Sequence, residues 1–403
     1  MAQNTPAWLK HAVIYEIYVP GHSKLGTFDG VTADLERIKD LGADIIWLMP
    51  IHPTGVEGRK GTLGSPYAIK DYRGINPLLG DEAGLNRLIT KTHQLGMKII
   101  IDVVYNHTAC DSVLAKEHPE WFLKDRKGGF TRKVADWSDV YDLDYANQGL
   151  WDYQIETLEK WVALGIDGFR CDVASLVPVA FWNQARSVLN RDREVIWLAE
   201  SVHKGFVKSL RDAGFAAHSD PELHQAFDLT YDYDGFEYLE KYFREQGELK
   251  DYFQYLFVQE TLYPQHAMKL RFLENHDHDR STNIIPDQDF LRHWVAFYTL
   301  LPGAILVWAG QEMGINKRID FFEREIVTWE KGDDEFYAFF RDVLRVAKEI
   351  KQKCNRFTIE EQKPGIVKIT WQGPTEEFST VLHLDWRRCP APPQPMISRN
   401  SCG

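Results

Sequence analysis

The chemistry of this chain gathers in the stretch Gly168 to Ser175, GFRCDVAS. Read as a strand, it sends Arg170 and Asp172 to one face and Phe169 and Cys171 to the other. An arginine two residues from an aspartate can hold that carboxylate ionised, the state a carboxylate nucleophile needs. An isolated R-x-D is ordinarily a structural ion pair, so further residues must carry the argument. Three other stretches supply them: Asp102 with Asn106 and His107 just beyond it in DVVYNH, Glu200 closing VIWLAE, and His276 with Asp277 closing RFLENHD. Taken singly, Asp102 could orient a neighbour, His107 could be a satisfied hydrogen-bonding residue, and Glu200 could be a helix-start acid. Together, Asp172, Glu200 and Asp277 with an arginine and two histidines are a set able to combine nucleophilic and acid–base work.

The elements that would bring these stretches together follow from periodicity. Strand-like runs at Val13–Val19, Asp44–Met49, Lys98–Tyr105, Asp167–Cys171, Val195–Ala199, Ala226–Thr230, Lys269–Glu274 and Ala304–Trp308 are separated by helical patterns. Eight such strands, each with a following helix, predict an α/β chain folded as a (β/α)8 TIM barrel. A doubly wound open sheet is the rival, but no G-x-G-x-x-G or phosphate-binding glycine loop follows the first strand. In a barrel, chemistry sits at the C-terminal strand ends, where these four stretches fall.

The rhythm breaks between Thr108 and Tyr145, a connection too long for an ordinary loop. The chain therefore divides into a barrel over 1–107 and 146–353, a short inserted subdomain over 108–145 after strand three, and a C-terminal β-domain over 354–388. Strand-like runs at Phe357–Ile359, Gly365–Trp371 and Ser379–Leu384 mark that last domain. The tail 389–403, CPAPPQPMISRNSCG, is proline-rich and is expected to be disordered and unable to add a strand, which leaves the β-domain truncated.

At 403 residues the chain can bury a large core, and its net charge of −12 speaks against nucleic acid or an anionic membrane as partner. A neutral substrate is easier to reconcile. No leader pattern and no apolar run of about 18 residues is present, which predicts a cytoplasmic protein. Cys110, Cys171, Cys354, Cys389 and Cys402 are scattered without C-x-x-C spacing and are expected as free thiols. The oligomeric state is not legible.

The segments DVVYNH (102–107), GFRCDVAS (168–175), WLAES (197–201) and FLENHD (272–277) resemble, in order, the four conserved regions of the α-amylase family of glycoside hydrolases, family 13. GTFDGV (26–31), GSPYAIKDY (64–72) and GQEMG (310–314) support the likeness, which covers roughly residues 10–350. The resemblance implies a retaining α-glycosidase acting on α-glucan oligosaccharides such as maltodextrins. It implies Asp172 as nucleophile, Glu200 as general acid/base and Asp277 as the carboxylate that grips the sugar ring. Arg170 would orient the nucleophile, His107 and His276 would hydrogen-bond sugar hydroxyls, Tyr67 would stack under the same sugar, and Asp102 would support the floor of the site.

Such chemistry needs one carboxylate ionised and one carboxyl protonated. Arg170 is expected to keep Asp172 charged, while burial and neighbouring carboxylates raise the pKa of Glu200. No cofactor is required, though calcium is possible: in calcium-dependent relatives the residue matching Asn106 is a ligand, and Asp111, Asp136 and Asp139 offer further oxygens. Ser175 and Leu176 stand where many α-amylases carry a Lys-His pair, so contacts beyond the cleaved bond must differ. Trp121, Phe122, Phe130 and Trp137 either wall the cleft or build the core of the insert. A transglycosylase or isomerase on the same site, and a non-catalytic glucan-binding relative, are the alternatives.

Overall fold

Parallel strands covered by helices are buried on both faces, so they read as unbroken apolar runs rather than as alternation. The computed structural model, which describes residues 2, 4–285, 287–389 and 394–401, follows that rule. Its strands in chain order are β1 (Val13–Ile17), β2 (Ile45–Leu48), β3 (Lys98–Val103), β4 (His107–Ala109), β5 (Val140–Asp142), β6 (Gly168–Cys171), β7 (Ile196–Ala199), β8 (Leu229–Tyr231), β9 (Met268–Arg271) and β10 (Ala304–Trp308). After the barrel come β11 (Arg356–Lys363), β12 (Ile366–Gln372), β13 (Glu376–His383) and β14 (Ile397–Ser401).

Eight of these close into a parallel barrel in the order β1-β10-β9-β8-β7-β6-β3-β2. The seam joins the first barrel strand to the last, Val13 opposite Ile305 and Glu16 opposite Trp308. Every residue of β1, β2, β6, β7 and β10 is buried. Gly168 opens β6 because a Cβ there would lie 2.3 Å from the Ile196 carbonyl oxygen, so only glycine lets β7 approach.

The insert forms a two-stranded antiparallel sheet, His107 opposite Asp142 and Ala109 opposite Val140. Phe122 and Trp121 are buried, Phe122 packs on Phe130 with centroids 4.8 Å apart and Trp121 lies against Tyr153, so these rings join the insert to the core of the barrel. Trp137 instead faces the cleft, 5.3 Å from the His107 ring.

Strands β11 to β14 form one antiparallel sheet. It docks on the barrel helix Gln288–Leu300, which is buried over every residue from Phe290 to Leu300 because it is covered by barrel and sheet alike. Indole N–H groups fix the contact, Trp294 donating to the Leu384 carbonyl at 2.9 Å and Trp371 to the Leu300 carbonyl at 2.8 Å.

The expectation that the tail adds no strand is overturned. Residues 397–401 pair with β13, Phe378 opposite Arg399 and Thr380 opposite Ile397. The prolines at 390, 392, 393 and 395 all precede Ile397, so ISRNS keeps every backbone donor that a ladder needs. Of the tail 389–403 expected to be disordered, residues 390–393 and 402–403 lie outside the described residues. Cys110, Cys171 and Cys389 are in no disulfide, and Cys402 also lies outside the described residues. Among the described residues no helix is long and apolar enough to cross a membrane.

Candidate active site

Ladder hydrogen bonds run one residue past the barrel strands and aim the chemistry upward from their C-terminal ends. The Asp172 amide donates to the Val103 carbonyl at 2.9 Å, and the Glu200 amide to the Cys171 carbonyl at 3.0 Å. Asp102 stands beside Arg170 in register. These ends open on a cavity of about 270 Å³ lined by Tyr67, His107, Trp137, Asp172, Glu200, His276 and Asp277, with Lys60, Asp139 and Phe322 at its wall. The structure thus gathers residues from five strand ends, the loop after β2 and the insert around one small concavity.

Arg170 is the hub. Its Nη1 donates to Asp102 at 3.0 and 3.2 Å and to Asp172 Oδ1 at 3.0 Å, and its Nη2 lies 3.1 Å from Glu200 Oε2. The guanidinium is fully buried, with the rings of Trp47, Tyr67 and Tyr231 at 5.1, 5.7 and 5.6 Å. Its charge persists despite burial because Asp102 and Glu200 surround it, and its pKa lies well above the usual value.

Burial pushes the carboxyls of Asp172 and Glu200 alike up to about 7, with Arg170 pulling back. Arg170 therefore does not hold Asp172 low, as the residue types suggested. One guanidinium is shared among Asp102, Asp172 and Glu200, and desolvation of a fully enclosed group outweighs a third of a counter-charge. Asp102 is raised to about 6 by the same burial.

Among the described residues, each of the two carboxyls has one hydrogen-bonded oxygen and one that no donor reaches. Asp172 Oδ1 accepts from Arg170, and Oδ2 faces His107 Nε2 at 4.0 Å. Glu200 Oε2 accepts the Val173 amide at 2.6 Å, whereas among the described residues no donor meets Oε1.

The two histidines are set oppositely. Burial lowers His107 to about 4, so its ring is neutral. The Asn106 amide Nδ2 lies 3.1 Å from His107 Nδ1, an arrangement in which Nδ1 accepts and Nε2 keeps its proton toward the cleft. His276 is raised to about 9: burial opposes its charge, but Asp277 and Glu16 outweigh it. Its Nδ1 pairs with the buried Glu16, and its Nε2 meets the Tyr67 hydroxyl at 2.8 Å and Asp277 at 3.3 Å. Tyr67 stacks on His276 and donates to Asp102 at 3.2 Å. Asp277 sits at the mouth, half exposed; its partial burial is outweighed by His276 and Arg170, which hold it below the usual carboxylate range.

Asn106 does not stand as a ligand in a carboxylate cluster. Its Oδ1 accepts from Lys133 Nζ at 2.7 Å, while Asp111 pairs with Lys70, Asp139 pairs with Lys60 and Asp136 is exposed. An ammonium at 2.7 Å takes the position that a calcium ion bound to that oxygen would need, so the arrangement does not fit the ion.

Several members of the site escaped the sequence reading. Glu16 was visible as a charge inside the apolar strand VIYEI, an exception that asks for a buried partner. Lys60, Lys133 and Asp142 carry no spacing signal, because the chain brings them to the site only through the loop after β2 and the fold of the insert.

Comparison with known proteins agrees with this geometry. The family model "Alpha amylase, catalytic domain" matches residues 19–138 and 117–355. An α-amylase from Lactobacillus plantarum has a solved structure that superposes with a TM-score of 0.90 at 43% identity, covering 94% of this chain and 89% of that one. The noncanonic maltogenic α-amylase AmyB of Thermotoga neapolitana gives 0.84 at 38% identity, over 93% and 86%. The α-amylase MalA of Haloarcula japonica is 27% identical over 352 residues, 84% of this chain and 49% of the relative. The chain thus spans about half the length of that curated relative, and 64% of Alpha-amylase 2 of Dictyoglomus thermophilum. With four ordered motifs at the ends of a closed parallel barrel and a family model matched over most of its length, the chain belongs to the α-amylase family of glycoside hydrolases.

Proposed function

We propose that this chain is a retaining α-glycosidase that hydrolyses α-glucosidic bonds in maltodextrins and related α-glucan oligosaccharides. The observation that carries the reading is that Asp172 and Glu200 line one cavity from neighbouring strand ends and share the Arg170 guanidinium. Arg170 donates to Asp172 Oδ1 and lies 3.1 Å from Glu200 Oε2, and Glu200 Oε1 is left for a proton.

In this reading an Asp172 oxygen attacks the anomeric carbon as the bond to the leaving oxygen breaks, and Glu200 Oε1–H delivers its proton to that oxygen. Glu200, now ionised, takes a proton from water, whose oxygen attacks the anomeric carbon and releases Asp172. Neutral His107 donates from Nε2 to a sugar hydroxyl, cationic His276 and ionised Asp277 bind ring hydroxyls on the far side, and Tyr67 gives the sugar a flat apolar face. Arg170 tracks the charge as it moves between the carboxyls, and Asp102 holds Arg170. The thiols Cys110, Cys171 and Cys389 suit a reducing compartment such as the cytoplasm.

Proton NMR of maltoheptaose cleavage tests the reading. The first-formed reducing end is expected as the α-anomer, with Asp172→Asn and Glu200→Gln each lowering kcat by about 10⁴-fold or more. A β-anomer first product, or normal rates in either variant, refutes it, and products longer than the substrate would shift the assignment from hydrolysis to transfer.

A further inference from the structure

Lys133 lies in the insert between the Phe130 turn and β5, and its side chain is only 10% exposed. Its ammonium meets three oxygens from three separate segments. Asn106 Oδ1, just past β3, is at 2.7 Å; the Leu176 carbonyl, past Asp172, is at 3.5 Å; and Asp142 Oδ2, at the end of β5, is at 3.5 Å. The Lys133 backbone N–H also reaches Asp142 Oδ2, at 3.0 Å. Three acceptors match the three protons of an ammonium. The Asp142 side chain is fully buried, and this ammonium is the cation it meets.

The contact fixes Asn106. With Oδ1 turned to the ammonium, Nδ2 points at His107 Nδ1 (3.1 Å) and Asp142 Oδ1 (3.5 Å), and the amide has no equivalent flipped state. The orientation of the His107 ring, and with it the direction of Nε2–H, therefore depends on Lys133. Drawing oxygens from barrel and insert onto one positive centre is the work of a bridging metal ion, and a divalent cation about 2.4 Å from the same oxygens would collide with the ammonium.

We propose that Lys133 is a built-in cation that replaces calcium at the junction of insert and barrel and, through Asn106, positions His107. The protein then needs no divalent ion to hold its site together. Removing the ammonium strands the Asp142 carboxylate and leaves an oxygen cage open to a soluble cation.

The test is thermal melting of the full chain, followed by circular dichroism, in EDTA and in millimolar CaCl₂. Wild type is expected to melt at the same temperature in both, within about 1 °C; a rise of several degrees with calcium would overturn the proposal without any variant. Lys133→Met is expected to lower the melting temperature by about 5 °C or more, as for a buried carboxylate left without its partner. Lys133→Ala should recover part of that loss in calcium or ethylammonium, and on maltoheptaose should show a KM raised several-fold that the same ions lower. A Lys133→Met protein as stable as wild type, or a Lys133→Ala protein indifferent to both cations, would refute the bridging role. If neither variant folds, the wild-type calcium measurement alone decides. The melting arms involve no substrate, so their failure is separate from a failure of the glycosidase reading.

Discussion

The Val173 amide donates to Glu200 Oε2 at 2.6 Å, and Val173 makes that bond from the left-handed region, φ 34° and ψ 47°. A β-branched residue avoids this conformation, at a cost of roughly 1–3 kcal/mol. Here the turn after Asp172 aims the amide at the second carboxyl, and the packing of Val173 with Leu176, Val207 and Leu210 sustains it. Val173→Gly keeps the amide and permits the angle, so kcat/KM should stay within about tenfold of wild type. Val173→Pro loses both the donor and the angle, and kcat should fall by about 10³-fold, read from steady-state kinetics beside a melting curve.

His276 should leave a signature in stability against pH. Its folded pKa, about 9, exceeds the unfolded value, so its contribution is complete below about 6.5 and disappears as pH rises through 9. Asp172 and Glu200, raised to about 7, lose theirs between about 4 and 7 instead, which leaves the window from 7 to 9 to His276 among these three. The stability difference between wild type and His276→Gln, from urea unfolding, should shrink across that window with a slope approaching 1.4 kcal/mol per pH unit. A pH-independent difference would mean that the ring is neutral.

Lys60 and Asp139 meet at 3.0 Å across the wall of the cavity, one from the loop after β2 and the other from the insert. The lysine is 40% exposed, so the pair adds little to stability. Lys60→Ala should leave the melting temperature within about 1 °C of wild type while raising KM for short maltodextrins several-fold and lengthening the products, as chromatography of a maltoheptaose digest would register.

Strand β14 covers the outer edge of β13. A chain ending at Cys389 would leave the ladder groups of Glu376–Thr380 unpaired beside the exposed Val381. It should aggregate at lower temperature than the full chain in light scattering, while keeping measurable activity because the cavity residues are untouched.

The barrel was legible because most of its strands are largely apolar runs bounded by turns, a signal local to a few residues; β9, MKLR, is an exception. The carboxylates were legible because they close such runs, as Glu200 does in VIWLAE. What escaped depends on distance. Lys133 meets Asn106 across 27 positions, and β14 exists because β13 offers an edge. Burial depth is likewise absent from sequence: Asp172 beside Arg170 reads as a low-pKa carboxylate until the fold encloses it with two more carboxyls on the same guanidinium. Trp121 and Trp137 look alike in sequence, yet one packs into the core against Tyr153 and the other lines the cleft.

Val13 pairs with Ile305, so the first of the barrel strands in chain order waits for the last to leave the ribosome. Until then Val13–Ile17 has an open edge beside β2, and Glu16 on it has no His276 to pair with. Any barrel sheet formed before β10 emerges is therefore unclosed, with an apolar edge open to chaperones and to other nascent chains. The ion pair that charges His276 forms only when the cylinder shuts, so the competence of the site reports on ring closure.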